Sequence, residues 1–384
     1  MDPTPSNPEA SARPLPVLRA MIDALDHEVL HLWARRNALV AEIAEYKRRH
    51  AVPIRDPVRE REILRDRSER AVTLGLAPQL VEGLFRLVLR GSRDRQAALK
   101  AELPPDVEQK SVAVIGGRGA MGGFLARLFA DLGHAVMVAD LETPLTPEEA
   151  AAAADVVVIS VPIDRTVEVI RRLGPLVRED ALLMDVTSLK GPAMDAMLTC
   201  SHASVVGTHP LFGPTVHSVQ GQRVVVCPGR GEEWLRWLTQ MFHARGLVIK
   251  EATPEEHDRA MAVVQVLVHF STEVMGRTLT ALGVDVQETL AFTSPVYLME
   301  LLMTARHFAQ SSDLYASIEM DNPEAARITE TFVESAGALR DIIVTRDREA
   351  FRTAFEQVRE TFGDFTSQAL EQSSYLIDRL VEQG

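Results

Sequence analysis

Cysteine is scarce in this chain, with only Cys200 and Cys227 among 384 residues. That scarcity excludes a disulfide framework and a thiolate zinc site, and no metal is expected from the sequence. A basic surplus is also missing. The formal net charge is −13, whereas a nucleic-acid partner calls for a basic footprint. Long apolar runs are absent too. Stretches such as 156–161 and 260–264 fall far short of the roughly 18–20 residues that span a bilayer. Residues 1–14 hold Pro, Ser, Asn and Ala without a basic-then-apolar pattern, so they read as a disordered tail and not as a targeting signal. The expected compartment is the cytoplasm.

What is present is ordinary for a globular protein, 46% hydrophobic and 25% charged residues, in a length that predicts two or three domains. Basic residues outnumber acidic ones within 13–110, and the acidic surplus lies in 111–384. A mildly basic N-terminal part suits a small anionic ligand better than a polymer.

From residue 15 to about 49, Leu18, Ile22, Leu25, Val29, Leu32, Leu39 and Ile43 recur at helical spacing with no Gly or Pro between them. This predicts one helix about 50 Å long at 1.5 Å per residue. Val52-Pro53 stops it. Asp56-Pro57 reads as an N-cap followed by proline at the first helical position. A second helix then runs to Leu74 and ends at Gly75, and Pro78 opens a third that reaches about Lys100. Three such helices (15–100) have too little core of their own, which points to an intertwined dimer.

Residues 101–109 have the polar, proline-containing texture of a linker. Six candidate strands follow at 111–116, 135–139, 155–161, 181–185, 204–207 and 223–227, and predict a mainly parallel, doubly wound α/β sheet over 110–250. Thr146-Pro-Glu-Glu149 and Thr253-Pro-Glu-Glu256 read as capping boxes. After the second, an all-α C-terminal domain is expected over 251–384, with a helix opened by Asn322-Pro323 and a break near 335–337. No internal repeat is found. The fold class is therefore multidomain: an all-α three-helix domain, a Rossmann domain and an all-α domain.

Gly117, Gly119 and Gly122, with Ala120 and Met121 between them, follow the first strand and open a helix. That context lets backbone N–H groups approach a pyrophosphate at a helix N-terminus. Asp140 stands at the end of the next strand, where a carboxylate binds ribose hydroxyls and repels the extra phosphate of NADP; NAD is the expected cofactor. His209 lies in Gly207-Thr-His-Pro-Leu-Phe-Gly-Pro214, just after a strand, where Pro210 restricts it to an extended backbone. Its imidazole is either a proton acceptor for an alcohol losing hydride or a structural loop histidine. Ser188, in Asp185-Val-Thr-Ser-Leu-Lys190, is placed to bond the same hydroxyl. His257 and His269 share one predicted helix, about 18 Å apart along its axis, so they cannot both touch one small atom. Arg306 interrupts an apolar helix, either to bind a carboxylate or on an exposed face.

The glycine loop, Ser160-Val-Pro-Ile163, Asp185–Lys190, His209-Pro-Leu-Phe-Gly-Pro214, Glu256-His-Asp258 and Ser294-Pro-Val-Tyr297 with Arg306 resemble prephenate dehydrogenase across about 111–380. The resemblance implies that His209 accepts a hydrogen bond from the ring hydroxyl with support from Ser188, and that Arg306 holds a carboxylate. It places Lys190, His257 and His269 among the substrate contacts and sets Ser160, Val161 and Pro162 beside the cofactor. Bifunctional relatives usually carry an arginine where this chain has Leu298, so a second carboxylate contact is either absent or supplied elsewhere.

The N-terminal helices resemble the all-helical class of chorismate mutase without gaps from Arg19 to Gln96. The family's site falls on Arg19, Arg36, Lys47, Asp56, Arg59, Glu60, Ser92 and Gln96. Arg36 and Lys47 are eleven residues apart, about three turns, and share a helix face. Arg19 lies about 25 Å before Arg36 on another face, so it suits the pocket of a partner chain. A pericyclic rearrangement needs no nucleophile or metal. It needs a dicarboxylate held in a compact pose by arginines, and donors such as Lys47 and Gln96 at the ether oxygen.

Together the resemblances imply consecutive steps of tyrosine biosynthesis, chorismate to prephenate and then NAD-dependent oxidative decarboxylation to 4-hydroxyphenylpyruvate, in a homodimer inhibited by tyrosine. Two other readings stay open: an arogenate-preferring dehydrogenase, and a catalytically dead helical module.

Overall fold

A computed structural model describes residues 13–49, 56–98, 107–216 and 218–381. The tail over 1–12, the Val52-Pro53 stop, the end near Lys100 and most of the expected linker lie outside the described residues. The N-terminal helices are α1 (Leu15–Arg49), α2 (Pro57–Thr73) and α3 (Pro78–Ala98). The Asp56 carboxylate accepts the Arg59 N–H at 2.9 Å, so the expected N-cap is in place. Gly75 adopts φ +70° just past the end of α2, a conformation that costs glycine nothing. Only Val40 and Ala44 of α1 are buried hydrophobics, whereas Leu25 and Leu32 are 58% and 60% exposed. An apolar stripe this long is not left in water by a stable helix, so α1 needs a second surface.

The central sheet comprises β1 (Ser111–Ile115), β2 (Ala135–Ala139), β3 (Val156–Ile159), β4 (Leu182–Asp185), β5 (Ser204–Pro210), β6 (Arg223–Arg230) and β7 (Val248–Glu251), in the order β2-β1-β3-β4-β5-β6-β7. All neighbours are parallel except β5 and β6. Successive residues serve opposite faces. Val112, Val114, Val156, Val158, Leu182 and Met184 pack into one core. Ala113, Ile115, Val157, Ile159 and Leu183 pack into the other. With both faces covered, strands read as continuous apolar runs. Both cysteines are free, and burial pushes the Cys227 thiol up to about 12.

Four expectations need correction. A seventh strand, β7, was missed because Val-Ile-Lys-Glu is short and half polar, as an edge strand is. The strand carrying His209 extends through Pro210, since its antiparallel pairing with β6 continues that far, so His209 sits within β5 and not after it. The supposed linker already docks at its end: Val107 is buried in the sheet's core, and Glu108 O accepts the Trp237 indole N–H at 3.3 Å. Residues 335–337 do not break their helix, which runs unbroken over Ala325–Thr345.

Both threonine capping boxes form as read. The helix opened by Thr253 spans Pro254–Met261, passes through a π-helical stretch, Ala262–Leu267, and continues over Val268–Ala281. Further helices cover Pro295–Phe308, Ser312–Met320, Arg348–Phe362 and Phe365–Val381. Ala262, Val266 and Ile328 form only a small buried cluster here, and Val263, Val264 and Val268 are about half exposed. No helix among the described residues is long and apolar enough to cross a membrane.

Candidate active sites

In the helical region α1, α2 and α3 bring part of the expected set together. Arg36 Nη1 donates to Ser92 Oγ at 2.6 Å, and that hydroxyl donates onward to Val88 O at 2.6 Å. Burial and the neighbouring Arg67 guanidinium hold the Arg36 pKa below its ordinary value. Lys47 is also lowered by burial, against the opposing pull of Asp56 and Glu60. Cationic groups crowded this way favour an anionic ligand. Gln96 Nε2 donates to Ser92 O at 3.1 Å and leaves Oε1 buried with no partner, a demand that a bound donor satisfies.

Three of the eight residues stand apart. Arg19 is exposed on the first turns of α1. Arg59 points to Glu62, with both side chains largely exposed, and the Asp56 carboxylate is engaged in capping α2. Arg93 and Arg67 were missed. Arg93 Nη1 pairs with Glu60 Oε1 at 2.7 Å, and adjacency to Ser92 was the one signal that could have found it.

The nucleotide cradle forms where β1 meets the helix Ala120–Asp131. A Cβ on Gly122 would lie 2.2 Å from Gly116 O, and one on Gly117 would lie 2.8 Å from a Val138 methyl. Gly116 was also missed: it adopts φ +80°, and a Cβ there would meet Ser160 O at 2.2 Å. Close approach of bare backbone is what a pyrophosphate requires. Asp140 closes β2 beside the loop, its carboxylate accepting the Arg118 N–H at 3.0 Å and the Leu141 N–H at 2.8 Å. Ser160, Val161 and Pro162 leave β3 beside it, with Ser160 N donating to Ile115 O at 2.9 Å. A dinucleotide fits this cradle.

At the C-terminal ends of β4 and β5 a buried relay runs through three side chains. His257 Nδ1 lies 2.7 Å from Asp258 Oδ1, and His257 Nε2 lies 2.8 Å from His209 Nδ1. A carboxylate only accepts, so His257 donates from Nδ1, and in the neutral ring its Nε2 is then the acceptor. His209 must then donate from Nδ1, which leaves its Nε2 as a free lone pair. Burial, His257 and the Lys190 charge hold the His209 pKa well below 6.5, so the ring stays neutral at physiological pH. Asp258 is itself lowered despite burial, because it accepts from His257, from Lys190 N at 2.8 Å and from Gly191 N at 2.9 Å.

Lys190 differs from expectation. It is fully buried, paired with Asp185 and donating to Thr208 O at 2.7 Å. It therefore cannot touch substrate, and it acts on His209 through space. Ser188, in the same turn, is half-buried. The structure brings His257 to His209, while His269 packs against Tyr315 and His307 at ring separations of 4.8 and 5.5 Å. Arg306 is exposed and Leu298 half-buried on the helix Pro295–Phe308.

Residues 18–97 match the type II chorismate mutase family. Residues 132–251 match the nucleotide-binding domain of prephenate dehydrogenase, and 253–357 match its dimerization domain. The chain is similar to the T-protein of Haemophilus influenzae, 36% identical over 94% of this chain and 96% of that one. It is also similar to the T-protein of Enterobacter agglomerans, 35% identical over 94% and 97%. Among solved structures it is similar in fold to prephenate dehydrogenase from A. aeolicus in complex with hydroxyphenyl propionate and NAD+. There the TM-score is 0.54 at 20% identity, covering 67% of this chain and 98% of that one.

The glycine cradle yields a prediction. Gly122→Ala forces a methyl against Gly116 O, and overpacking of this kind typically costs about 1–3 kcal/mol. Urea denaturation followed by tryptophan fluorescence should show the Rossmann transition at lower urea. An unchanged midpoint would mean that the loop gives way freely.

Proposed function

We propose that His209 is the proton acceptor of a chain that belongs to the T-protein family, a type II chorismate mutase continued by the nucleotide-binding and dimerization domains of a prephenate dehydrogenase. The chain catalyses two consecutive steps of tyrosine biosynthesis, the rearrangement of chorismate and the oxidation of its product, prephenate. The observation that carries the His209 reading is the buried Asp258–His257–His209 relay, which leaves Nε2 unprotonated and free.

In the mutase site, Arg36 and Lys47 bind the carboxylates and the ether oxygen in a half-buried, cationic setting. Their low hydration strengthens each contact with charge that develops as the ether bond breaks. Gln96 completes the oxygen's surroundings. No proton is transferred. Arg19 is too far along α1 for its own chain's Arg36, and the exposed α1 stripe supplies the surface on which a second copy docks. The working unit is a homodimer in which the partner's Arg19 completes each pocket.

In the dehydrogenase site, Gly116, Gly117, Gly119 and Gly122 receive the pyrophosphate, and Asp140 receives the ribose hydroxyls. NAD bound in this cradle would supply the hydride acceptor for the ring carbon that bears the hydroxyl. His209 Nε2 accepts the hydroxyl proton as that hydride departs. Loss of the ring carboxylate as carbon dioxide then returns an electron pair to the ring, and His209 hands the proton back to the phenolic oxygen. His257 and Asp258 are positioning residues, holding the tautomer that this step needs. Arg306 grips a substrate carboxylate, and Ser188 supports the hydroxyl.

His209→Asn should lower dehydrogenase kcat by about 10²–10⁴-fold with KM little changed. Arg306→Ala should mainly raise KM for prephenate, because it acts in ground and transition states alike. Neither should alter mutase turnover. Near-normal kcat with a raised KM in His209→Asn would make His209 a binding residue.

For the cofactor, Asp140→Ser should weaken NAD binding and narrow the preference over NADP. An unchanged ratio of kcat/KM for the two cofactors would remove Asp140 from the ribose site.

Mixing Arg19→Ala and Lys47→Ala subunits should restore one intact mutase pocket per heterodimer. Verified heterodimers with no recovered turnover would confine Arg19 to its own chain's pocket or exclude it from the site.

A further inference from the structure

Beside Arg306, three helices of the C-terminal region converge on a polar cluster whose side chains are given no role in either reaction above. Glu273 comes from Val268–Ala281, His307 from Pro295–Phe308 and Glu319 from Ser312–Met320. One ligand-type atom from each lies within 4.8 Å of the other two. His307 Nε2 is 3.1 Å from Glu273 Oε1. All three side chains line a cavity of about 200 Å³, with Gln310 and Tyr315 also in its wall.

Two polar atoms here have no partner. Glu319 Oε1 and His269 Nδ1 are both buried and unsatisfied, a costly state unless something fills the demand. The Glu273 and Glu319 carboxylates also face each other across the cavity. Two carboxylates and an imidazole gathered at one point are a poor arrangement for a protein core and a good one for a cation. His307 is held in plane by Tyr315, stacked at a ring separation of 3.8 Å, so its Nε2 direction is fixed before any ligand arrives.

We propose that Glu273, His307 and Glu319 form a binding site for a zinc-class divalent cation that ties these three helices together beside Arg306. The donor chemistry selects the ion. Mixed carboxylate and imidazole donors without thiolate suit zinc and neighbouring first-row divalent cations, not copper(I), and calcium takes a larger all-oxygen set. Tetrahedral coordination at about 2.1 Å sets donors about 3.4 Å apart, a small contraction from the observed spread. The fourth position falls to water. The sequence predicted no metal, because that expectation rested on cysteine. Ligands separated by 34 and 12 residues leave no spacing motif to read. The consequence is local: His307 is the residue after Arg306, so an ion bound there anchors the helical turn that presents the carboxylate-binding guanidinium.

The test uses the full chain, without an affinity tag, stripped with chelator. Equilibrium dialysis against Zn²⁺ should give one ion per chain at micromolar free metal or below, and Co²⁺ should produce the visible absorption bands of a tetrahedral site. Glu319→Gln and Glu273→Gln should each weaken binding tenfold or more while circular dichroism and mutase turnover stay at wild-type values. The exposed pair His27 and His31, at i,i+4 on α1, is the competing surface site; the double variant His27→Ala/His31→Ala should retain the ion. Absence of stoichiometric binding, or binding lost in that double variant and kept in Glu319→Gln, overturns the proposal. Should either glutamine variant misfold, anomalous scattering from zinc-soaked wild-type crystals decides: a peak among the three side chains supports the site, and its absence refutes it.

Discussion

One carboxylate joins the nucleotide-binding sheet to the helices that follow it. Asp258 receives hydrogen bonds from the backbone of Lys190 and Gly191 at the end of the β4 turn and from the His257 ring. Its own carbonyl accepts from Asn322 Nδ2 at 2.9 Å, which brings in a third segment. The turn that carries Ser188, the helix that carries His257 and the approach to Ala325–Thr345 therefore meet at one residue. Its lowered pKa gives this junction a pH window. A depressed carboxyl contributes stability that is fully present above the ordinary Asp value, about 3.9, and is lost as pH falls through the folded value.

The buried Lys190 works with that junction. Paired with Asp185 and bonded to Thr208 O, it links β4 to β5 and sets a positive charge near His209 without touching substrate. Burial alone would push the Asp185 carboxyl up, and the ammonium opposes that push. A lysine displaced from its partners in so dry a place leaves an uncompensated charge, which is far worse than losing a surface ion pair. The same charge adds to burial and His257 in keeping His209 neutral. One buried cation thus serves both the packing of the strands and the state of the base.

What the sequence disclosed was local physics. The N-cap at Asp56, both capping boxes, the unbroken period of α1 and the glycine loop each depend on residues within a few positions of one another. What it concealed depends on the fold. Val-Ile-Lys-Glu became β7 only because β6 offered it an edge. Lys190 read as a substrate contact because its motif lies at a strand end, yet the chain turns it inward to Asp185. Asp258 was visible as part of Glu256-His-Asp258, but its role needs β4 and β5 in place. Gly116 was passed over because the fingerprint begins one residue later, although its backbone is the more constrained.

The two sites handle related anions by different means, and their settings explain why. The proposed mutase pocket draws on half-buried cations such as Arg36, whose pKa is already lowered by burial and a neighbouring guanidinium. A rearrangement without proton transfer gains only from pose and charge, so strong, poorly hydrated contacts are its whole resource. The dehydrogenase must instead move a proton and a hydride together. On the role proposed for His209, its polar investment is placed behind that ring, in Asp258 and His257, where it fixes one tautomer.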